Sequence, residues 1–497
     1  VEDNYGTYVQ APGHNEALAF MFQLDNTGPP TADAVVQYWA KLRSNFPNAK
    51  IVVSSLDEYA SSILNNATVF NALPVVTDEI GDSWLYGAPA DPKKLSDYRA
   101  ARRALSETGL TRDTWEGYDS FMRRLMKTPE HNWGLSVGDY LPSLRTKAGN
   151  WTNAAFHQVE FRKDYEVLEA EWAAQRLFNQ PLPNHPPPPA LVDALNKHSA
   201  AVPKLLDLSR LRPIDTTETL RCGDWQYTIN SSDGSLSSLV RNSTGAVWAD
   251  ATHPLAVFRY QTFTLDDFNH FNEQYNPGCG PPCGDFSKAG MDSANPRHLE
   301  WAPTLIHAAA TTDDDCKITL HLELDAEAHE YYGAPAAVYT TLSFERGPPA
   351  DVDALHVEVS WVNKTATRLS EAMWLSFVPV ASHTHNARWS IDVLAHDIDP
   401  TQVVANGTRH LHATWSGVRL AHAASTGMES LHIDSLDAPL VAPGDRQHLL
   451  DYDGETTPDA VSGGMHFNLF NNLWGTAFPQ WYGDDASFRF KMHLKQE

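Results

Sequence analysis

The hydrophobic pattern of the first ninety residues alternates between helix and strand. Apolar positions at helical spacing predict a helix that begins after Thr31 and a second helix over 56–64. The apolar runs 51–53 and 74–76 predict short buried strands. One or two such units are too few to close a barrel or to build a parallel sheet. We therefore interpret residues 1–91 as the C-terminal part of an incomplete (β/α) barrel.

The pattern then becomes helical throughout. Apolar residues three or four positions apart over 95–105, 161–172 and 191–195 each mark one helix face. The proline-rich run 181–189 cannot form the interior of a helix and predicts a stiff linker. A small antiparallel bundle of three helices over 92–210 is the structure that this pattern favours.

After about residue 211 the period changes to two. Apolar and polar residues alternate over 318–324, 357–361 and 488–494, and turn-forming clusters separate such runs. This pattern predicts a large antiparallel β-sandwich over 211–497. The predicted fold is thus a multidomain α/β + α + β protein, with a partial barrel, a three-helix bundle and a β-sandwich in that order.

Charge and composition narrow the functional classes. The chain has 37 basic and 62 acidic residues, a formal net charge of −25, which argues against a nucleic-acid binder or a polybasic membrane-surface protein. It lacks an apolar stretch of 18 residues, so we expect no membrane-spanning helix. Its 15 tryptophans, 17 tyrosines and 20 phenylalanines fit a carbohydrate-active protein and a large β-sandwich core equally well.

Sequons and cysteines indicate a secreted glycoprotein. Cys279 and Cys283 flank a Gly-Pro-Pro turn that a short disulfide would close, which leaves Cys222 to pair with Cys316. A zinc cluster is the weaker alternative, because Cys-x₃-Cys lacks a second pair at metal spacing. Asn-x-Ser/Thr sequons occur at Asn66, Asn150, Asn230, Asn242, Asn363 and Asn406.

Two acidic stretches follow predicted strands, where α/β enzymes place catalytic groups. Asp25 lies in a Gly/Pro loop between a strand predicted near 19–22 and the helix after Thr31, although an Asx turn would explain it equally simply. The stretch 77–87 combines acids with aromatic residues. Carboxylates bind sugar hydroxyls and aromatic rings pack on the C–H face of a pyranose, whereas a plain acidic loop would not need the aromatic residues. The candidates for sugar binding here are Glu79, Asp82, Trp84 and Tyr86.

A third polar and aromatic cluster, His131-Asn132-Trp133-Gly134, interrupts the helical region. A single histidine is more often a surface residue or a hydrogen-bonded core residue than a metal ligand. The chain has no Gly-rich phosphate loop, no Gly-x-Ser-x-Gly and no His-Glu-x-x-His, so nucleotide chemistry, serine hydrolysis and zincin proteolysis have no local support.

The order and content of these stretches resemble the family 38 glycoside hydrolases, the zinc-dependent retaining α-mannosidases, and more closely their uncharacterised secreted relatives in fungi and bacteria. The similarity covers nearly the whole chain. The matching motifs are Asp-Asn-Thr-Gly-Pro at 25–29, Glu-Ile-Gly-Asp-Ser-Trp at 79–84, Asp-Pro-Lys-Lys at 91–94, His-Asn-Trp-Gly at 131–134 and the closing segment 468–479.

The resemblance implies a role for each matching residue. Asp25 would be the general acid/base, Trp84 and Trp133 would contribute to the sugar site, and His131 would be a zinc ligand. The mannosidases have Asp after this histidine, where the present chain has Asn132. The nucleophilic Asp and the His-x-Asp metal pair of the family have no match here.

We therefore expect a proteolytically processed precursor. The missing strands and ligands would lie upstream of Val1, in an N-terminal fragment that stays bound and completes the barrel, and a targeting segment would also have been removed. A truncated, inactive fragment is the competing interpretation.

The resemblance favours a secreted retaining exo-glycosidase acting on α-linked, mannoside-like sugars. Retention requires two carboxyl groups about 5 Å apart. A polysaccharide lyase that eliminates across a uronate is an alternative, and so is a non-catalytic carbohydrate-binding protein.

Overall fold

The protein is described by a computed structural model in which two compact units are distinguished, Val1–Thr77 and Asp78–Glu497. The predicted three-part division at 91 and 210 stays a prediction. The description covers residues 8–21, 27–130, 132–135, 150–278, 288–310, 316–345, 354–380, 387–394, 396–421, 429–445, 449–452, 460–475 and 477–496.

The first unit contains both helices predicted for it. Helix α1 (Ala32–Asn45) begins where the Thr31 hydroxyl accepts a hydrogen bond from the Ala34 amide at 3.2 Å. Helix α2 is Leu56–Leu64, and Ser55 and Glu58 form a capping box at its start. The remaining elements are the antiparallel strands β1 (Tyr8–Val9) and β2 (Leu18–Ala19) and helix α3 (Ala67–Phe70).

The prediction of strands at 51–53 and 74–76 was wrong. Neither segment forms strand hydrogen bonds in the structure, and Val53 and Val75 are 83% and 89% exposed. A β-strand depends on a neighbouring strand for its backbone hydrogen bonds, and the described part of this unit offers these segments no such neighbour. The strand predicted near 19–22 is limited to Leu18–Ala19 in the described residues. The partial barrel is therefore not confirmed.

The second unit begins with helices and continues with sheets. Helix α4 starts at Pro92, because the Asp91 carboxylate caps the Lys94 amide at 3.0 Å, and it ends before Gly109, whose φ of 60° is left-handed. The predicted three-helix bundle stays a prediction. The α-helices of this unit are α4 Pro92–Thr108, α5 Tyr118–Leu125, α6 Asn153–Phe156, α7 Val159–Arg176, α8 Pro189–His198, α9 Leu265–Tyr275, α10 Ala326–Tyr332 and α11 Ala460–Gly463. Short 3₁₀ helices are Ser83–Ala90, Leu177–Asn179, Leu208–Arg210 and Met291–Ala294.

Two large antiparallel sheets form the rest of the unit, with ten strands each among the described residues. The first sheet has the order β16-β15-β18-β19-β22-β13-β12-β11-β10-β3. Its strands are β3 Arg212–Pro213, β10 Thr304–Ala310, β11 Lys317–Glu323, β12 Ala337–Glu345, β13 Ala354–Val362, β15 Arg388–Val393, β16 His396–Ile398, β18 Gly417–Ala421, β19 Glu429–Ser435 and β22 Ala486–Gln496.

The second sheet has the order β17-β20-β21-β14-β8-β6-β5-β4, with β7 paired to β6 and β9 to β8. Its strands are β4 Leu220–Cys222, β5 Trp225–Ile229, β6 Leu236–Arg241, β7 Val247–Ala249, β8 Leu255–Thr262, β9 Leu299–Trp301, β14 Glu371–Phe377, β17 His412–Ala413, β20 Leu440–Pro443 and β21 Met465–Asn471.

The inner faces of the two sheets share one hydrophobic core, as the alternating pattern predicted. Tyr227 of the second sheet lies 4.7 Å from Phe344 of the first between ring centroids, and Phe467 lies 5.0 Å from Phe490. The alternating apolar residues at 318–322, 357–361 and 488–494 are all buried in this core. Large antiparallel sheets packed as a β-sandwich are thus confirmed.

A disulfide joins Cys222 of β4 to Cys316, which directly precedes β11, and so links the two sheets. This is the pairing predicted for these two cysteines. Cys279 and Cys283 lie outside the described residues.

Helix α4 is attached to the sandwich by buried polar contacts. The Arg99 guanidinium donates to four backbone carbonyls, including those of Thr414 at 3.0 Å and Ser435 at 2.6 Å. Asp437, fully buried, accepts hydrogen bonds from Ser96 of α4 and Arg489 of β22.

No helix in the described part of the chain is both long and apolar enough to cross a membrane.

Candidate functional site

The acidic segment 78–82 is held against residues 402–408. The Glu79 amide donates to the Gln402 carbonyl and the Val404 amide donates to the Glu79 carbonyl, both at 2.9 Å, in a parallel bridge. Gly81 packs so closely that a Cβ there would lie 2.2 Å from the Thr408 carbonyl oxygen. A residue without a side chain is therefore required where this segment meets its neighbour.

Asp82 begins the 3₁₀ helix Ser83–Ala90 and is exposed to solvent. Its carboxylate accepts the Trp84 amide at 3.0 Å, which turns the chain so that Trp84 is half-buried. The Trp84 ring lies 4.7 Å from the Trp474 ring between centroids. Tyr86 is fully buried and its carbonyl accepts a hydrogen bond from Asn471 at 3.0 Å. The closing segment of the sequence therefore packs directly on the 79–86 stretch.

The same closing segment contacts Trp133. The Trp133 amide donates to the Ala477 carbonyl at 3.0 Å, and its ring meets the Phe478 ring edge-on at 5.2 Å. Two sequence motifs that lie about fifty residues apart are thus brought onto one segment. Tyr86 and Trp133 are 0% and 2% exposed, so both pack in the interior, and direct sugar contact by either one stays a prediction.

Two tyrosine rings, one exposed and one half-buried, lie together at the end of α9. The rings of Tyr275, at the end of α9, and Tyr452 are 5.4 Å apart between centroids, and Tyr275 is 36% exposed. Burial raises the pKa of Tyr452, and Tyr275 and the charge of Asp82 raise it further. The Tyr452 hydroxyl donates to the Asn406 carbonyl, within the 402–408 segment that holds Glu79.

A second carboxylate lies on the same surface. Asp451 accepts a hydrogen bond from Gln274 of α9 at 3.2 Å and lies 4.0 Å from the imidazole of His270, whose side chain is 60% exposed. The Gln274 side chain also accepts the Tyr452 amide at 2.7 Å, so the helix and the 451–452 segment are joined twice. We call the set Asp82, His270, Tyr275, Asp451 and Tyr452 the tyrosine–carboxylate surface.

Two charged groups, the half-buried Glu79 and the buried Lys94, have shifted pKa values. Burial raises the pKa of Glu79, so this carboxyl retains its proton to a higher pH than usual. Burial lowers the pKa of Lys94 to about 7, although Asp91 and Glu130 oppose the shift. The Lys94 ammonium lies 3.9 Å from the Trp133 ring centre and has no hydrogen-bond partner among the described residues.

Two predicted functional residues, Asp25 and His131, lie outside the described residues. Groups of three or more His, Cys, Asp or Glu side chains able to hold a metal ion are absent from the described part of the chain, so these residues do not by themselves form the zinc site. The zinc ligand role of His131 stays a prediction.

The sequence did not identify Tyr275, Tyr452, Asp451 or His270. A signal existed for the first of them, because Thr264 and Asp267 form a capping box and Phe268, Phe271 and Tyr275 follow at helical spacing. The period of two dominates this region and conceals a short helix between strands. No local signal identifies Asp451 and Tyr452, since only the fold places them beside α9.

The predicted glycosylation sites differ in exposure. Those whose asparagine is exposed are Asn66, Asn242, Asn363 and Asn406, and those whose asparagine is half-buried are Asn150 and Asn230.

Among solved structures, the chain is similar to an alpha-mannosidase from Enterococcus faecalis V583, with 10% identity and a TM-score of 0.46. That match covers 93% of this chain and 61% of the mannosidase, so the chain spans less than two thirds of the mannosidase's length. It is also similar to a galactose mutarotase-like protein from Lactobacillus casei ATCC 334, with 11% identity and a TM-score of 0.30, over 56% of this chain and 99% of that protein.

A search of curated proteins finds no match. Residues 88–352 match the family model described as a domain of unknown function, DUF5054. This match includes all of α4 to α10 and extends from the 3₁₀ helix that follows Asp82 into the sandwich. Since it spans more than half of the chain, the protein belongs to the DUF5054 family.

Proposed function

We propose that this protein is a carbohydrate-active enzyme whose substrate binds at the tyrosine–carboxylate surface. The observation that carries the proposal is the placement of the Tyr275 and Tyr452 rings, 5.4 Å apart, beside the Asp451 carboxylate, with the charge of Asp82 acting on Tyr452. An aromatic ring offers a flat apolar face for the C–H groups of a pyranose. Carboxylates accept hydrogen bonds from the sugar hydroxyls.

The proposed reaction is retaining hydrolysis of an α-linked, mannoside-like sugar at a chain end. It rests on the motif resemblance, in which Asp25 is the general acid/base. The raised pKa of Glu79 makes it a second candidate proton donor near the surface. Because the described residues do not form a metal site, we assign no step to zinc.

We also propose that an N-terminal fragment of the same precursor binds the first unit and completes the barrel. Val52, Val53, Val75 and Val76 are each more than half exposed, so a bound polypeptide would cover their apolar side chains. Denaturing electrophoresis and intact mass of the natural protein should then show this chain with a smaller one. A single fully active species beginning at Val1 would contradict the processing proposal.

Secretion is likewise a proposal, supported by the Cys222–Cys316 disulfide and the four exposed sequon asparagines. Glycopeptide mass spectrometry should find glycan on several of the six sequons. Free thiols at Cys222 and Cys316 in the natural protein would contradict it.

The enzymatic test measures release of aryl aglycone from a panel of α- and β-glycosides, with absorbance near 235 nm recorded for unsaturated uronate. Hydrolysis of an α-glycoside with retained configuration is the expected result. Absorbance at 235 nm without hydrolysis would favour the lyase, and sugar binding without either reaction would favour a binding protein.

Two variants separate binding from catalysis. Asp25→Asn should lower kcat about 10²–10⁴-fold, the usual contribution of a general acid/base. Tyr275→Ala should mainly raise KM, because it removes contact area and leaves the reacting groups in place. Asp397→Asn, an exposed aspartate outside the surface, serves as the matched control and should change neither constant. Unchanged kinetics in Tyr275→Ala would remove the tyrosine–carboxylate surface from the substrate site.

A further inference from the structure

A separate cavity of about 390 Å³ lies at the edge of the first sheet. It is lined by the start of β15, including Arg388 and Trp389, and by the turn 399–402 that follows β16. Ligand pockets usually have volumes of about 300–1,000 Å³, so this cavity is large enough for a small polar molecule. None of its lining residues belongs to the tyrosine–carboxylate surface.

One donor in the cavity lining has no partner among the described residues. The Arg388 guanidinium is exposed and forms no ion pair or hydrogen bond within the described ranges. An unpaired guanidinium is suited to a planar carboxylate, which it binds through two parallel hydrogen bonds.

The cavity lining also contains hydrogen-bond acceptors. The Asp399 Oδ1 atom accepts from the Thr401 amide at 2.9 Å and from the Thr401 hydroxyl at 2.6 Å, which fixes the turn. The other carboxylate oxygen, Oδ2, forms no hydrogen bond with any described residue and can therefore accept one from a ligand. Gln402 adds an amide that can donate and accept. A ligand for this cavity therefore needs hydroxyl donors as well as an anionic group.

We propose that this cavity binds a uronate-class sugar, with its carboxylate on Arg388 and its hydroxyls on Asp399 and Gln402. A phosphate fits less well, because its second negative charge and its lack of hydroxyl donors both disfavour a place beside Asp399. This proposal does not depend on the proposed hydrolysis, since the cavity and the tyrosine–carboxylate surface share no residue. The cavity and the acidic segment 78–82 are connected through the backbone, because the Gln402 carbonyl accepts a hydrogen bond from the Glu79 amide.

Isothermal titration calorimetry on the full chain tests the proposal, with methyl glucuronide, methyl glucoside and inorganic phosphate as probes. The two glycosides differ only in having a carboxylate or a hydroxymethyl group, so their comparison isolates the charge. We expect the glucuronide to bind at least about tenfold more tightly than the glucoside, as one charge-assisted contact provides. Phosphate should bind more weakly than the glucuronide.

Arg388→Gln should abolish the preference for the glucuronide, and Arg388→Lys should restore part of it. Asp399→Asn keeps the Oδ1 acceptor of the turn and should weaken binding of both glycosides. Arg419→Gln is the matched control, because this arginine lies on β18 of the same sheet and pairs with Asp397 at 3.5 Å. Equal affinity for glucoside and glucuronide, tighter binding of phosphate, no binding at all, or an unchanged preference in Arg388→Gln with an unaltered melting temperature would each overturn the proposal.

Discussion

Replacing Asp437 should lower the folding stability of the protein, because this residue joins helix α4 to the sandwich. The carboxylate is fully buried and accepts four hydrogen bonds: Oδ1 from Ser96 at 2.9 Å and from Arg489 Nη2 at 2.8 Å, and Oδ2 from the Arg489 backbone amide and Nε, both at 2.9 Å. Arg103 approaches it at 3.7 Å. In Asp437→Ala the Arg489 guanidinium would lose the carboxylate that neutralises it.

The size of the stability loss follows from the Arg489 charge that is left without its carboxylate. Removing one partner of a buried, hydrogen-bonded ion pair destabilises a protein by about 3–5 kcal/mol, mainly because the other charge stays desolvated. For a unit as large as Asp78–Glu497, that loss corresponds to a decrease of about 3–6 °C in melting temperature. Asp437→Asn should cause most of the same loss, because its amide N–H groups would face the N–H donors of Arg489.

Differential scanning calorimetry of the purified chain and both variants measures the effect. Asp397→Ala is the control, since its carboxylate is more than half exposed and its ion pair with Arg419 is 3.5 Å long. Such exposed pairs contribute about 0–1 kcal/mol. The reasoning would be refuted if Asp437→Asn melted within about 1 °C of the unmodified protein, because the charge would then contribute nothing to the contact.

Three further predictions concern stability. Replacing both Cys222 and Cys316 with serine should cost about 4–5 kcal/mol by chain entropy, since the disulfide closes a 94-residue separation, and an unchanged melting temperature would contradict this. Lys94→Met should raise the melting temperature by removing an unpaired buried ammonium. Because the folded pKa of Lys94 is about 7, the gain should be largest at pH 7 and below and should shrink toward pH 10, and a loss of stability at pH 6 would contradict it. Burial lowers the pKa of His412 to about 4 and nearby His410 adds to the shift, although a hydrogen bond to the Arg409 carbonyl opposes it. Between pH 6.5 and 4 the unfolded chain therefore binds more protons at this residue than the folded chain does. His412 should accordingly lower the free energy of unfolding by about 2 kcal/mol when the pH falls from 7 to 5. Urea titrations at the two pH values should show that His412→Gln removes this loss.

Local patterns determined the elements whose stability is local. The start of α1 at Thr31 and the span of α2 over 56–64 followed from capping residues and helical spacing, because a cap and the backbone bonds of a helix involve residues within four positions. The alternation over 318–324 and 488–494 located β11 and β22, because a strand with one face in the core must alternate. The pairing of Cys222 with Cys316 also followed from the sequence.

The tertiary structure decided what depends on distant neighbours. Val52 and Val75 have strand-like sequences but no strand partners in the part of the chain that the structure describes, and β-pairing is a property of two segments. The closing segment, which contains Trp474, is recognisable in the sequence as a motif. Its contact with Trp84 in the 79–86 stretch is visible only in the structure. Tyr275 and Tyr452 are 177 positions apart and meet only because α9 and the 451–452 segment are joined through Gln274. A side-chain surface assembled from such distant residues has no period or spacing along the chain, so no local pattern could have located it.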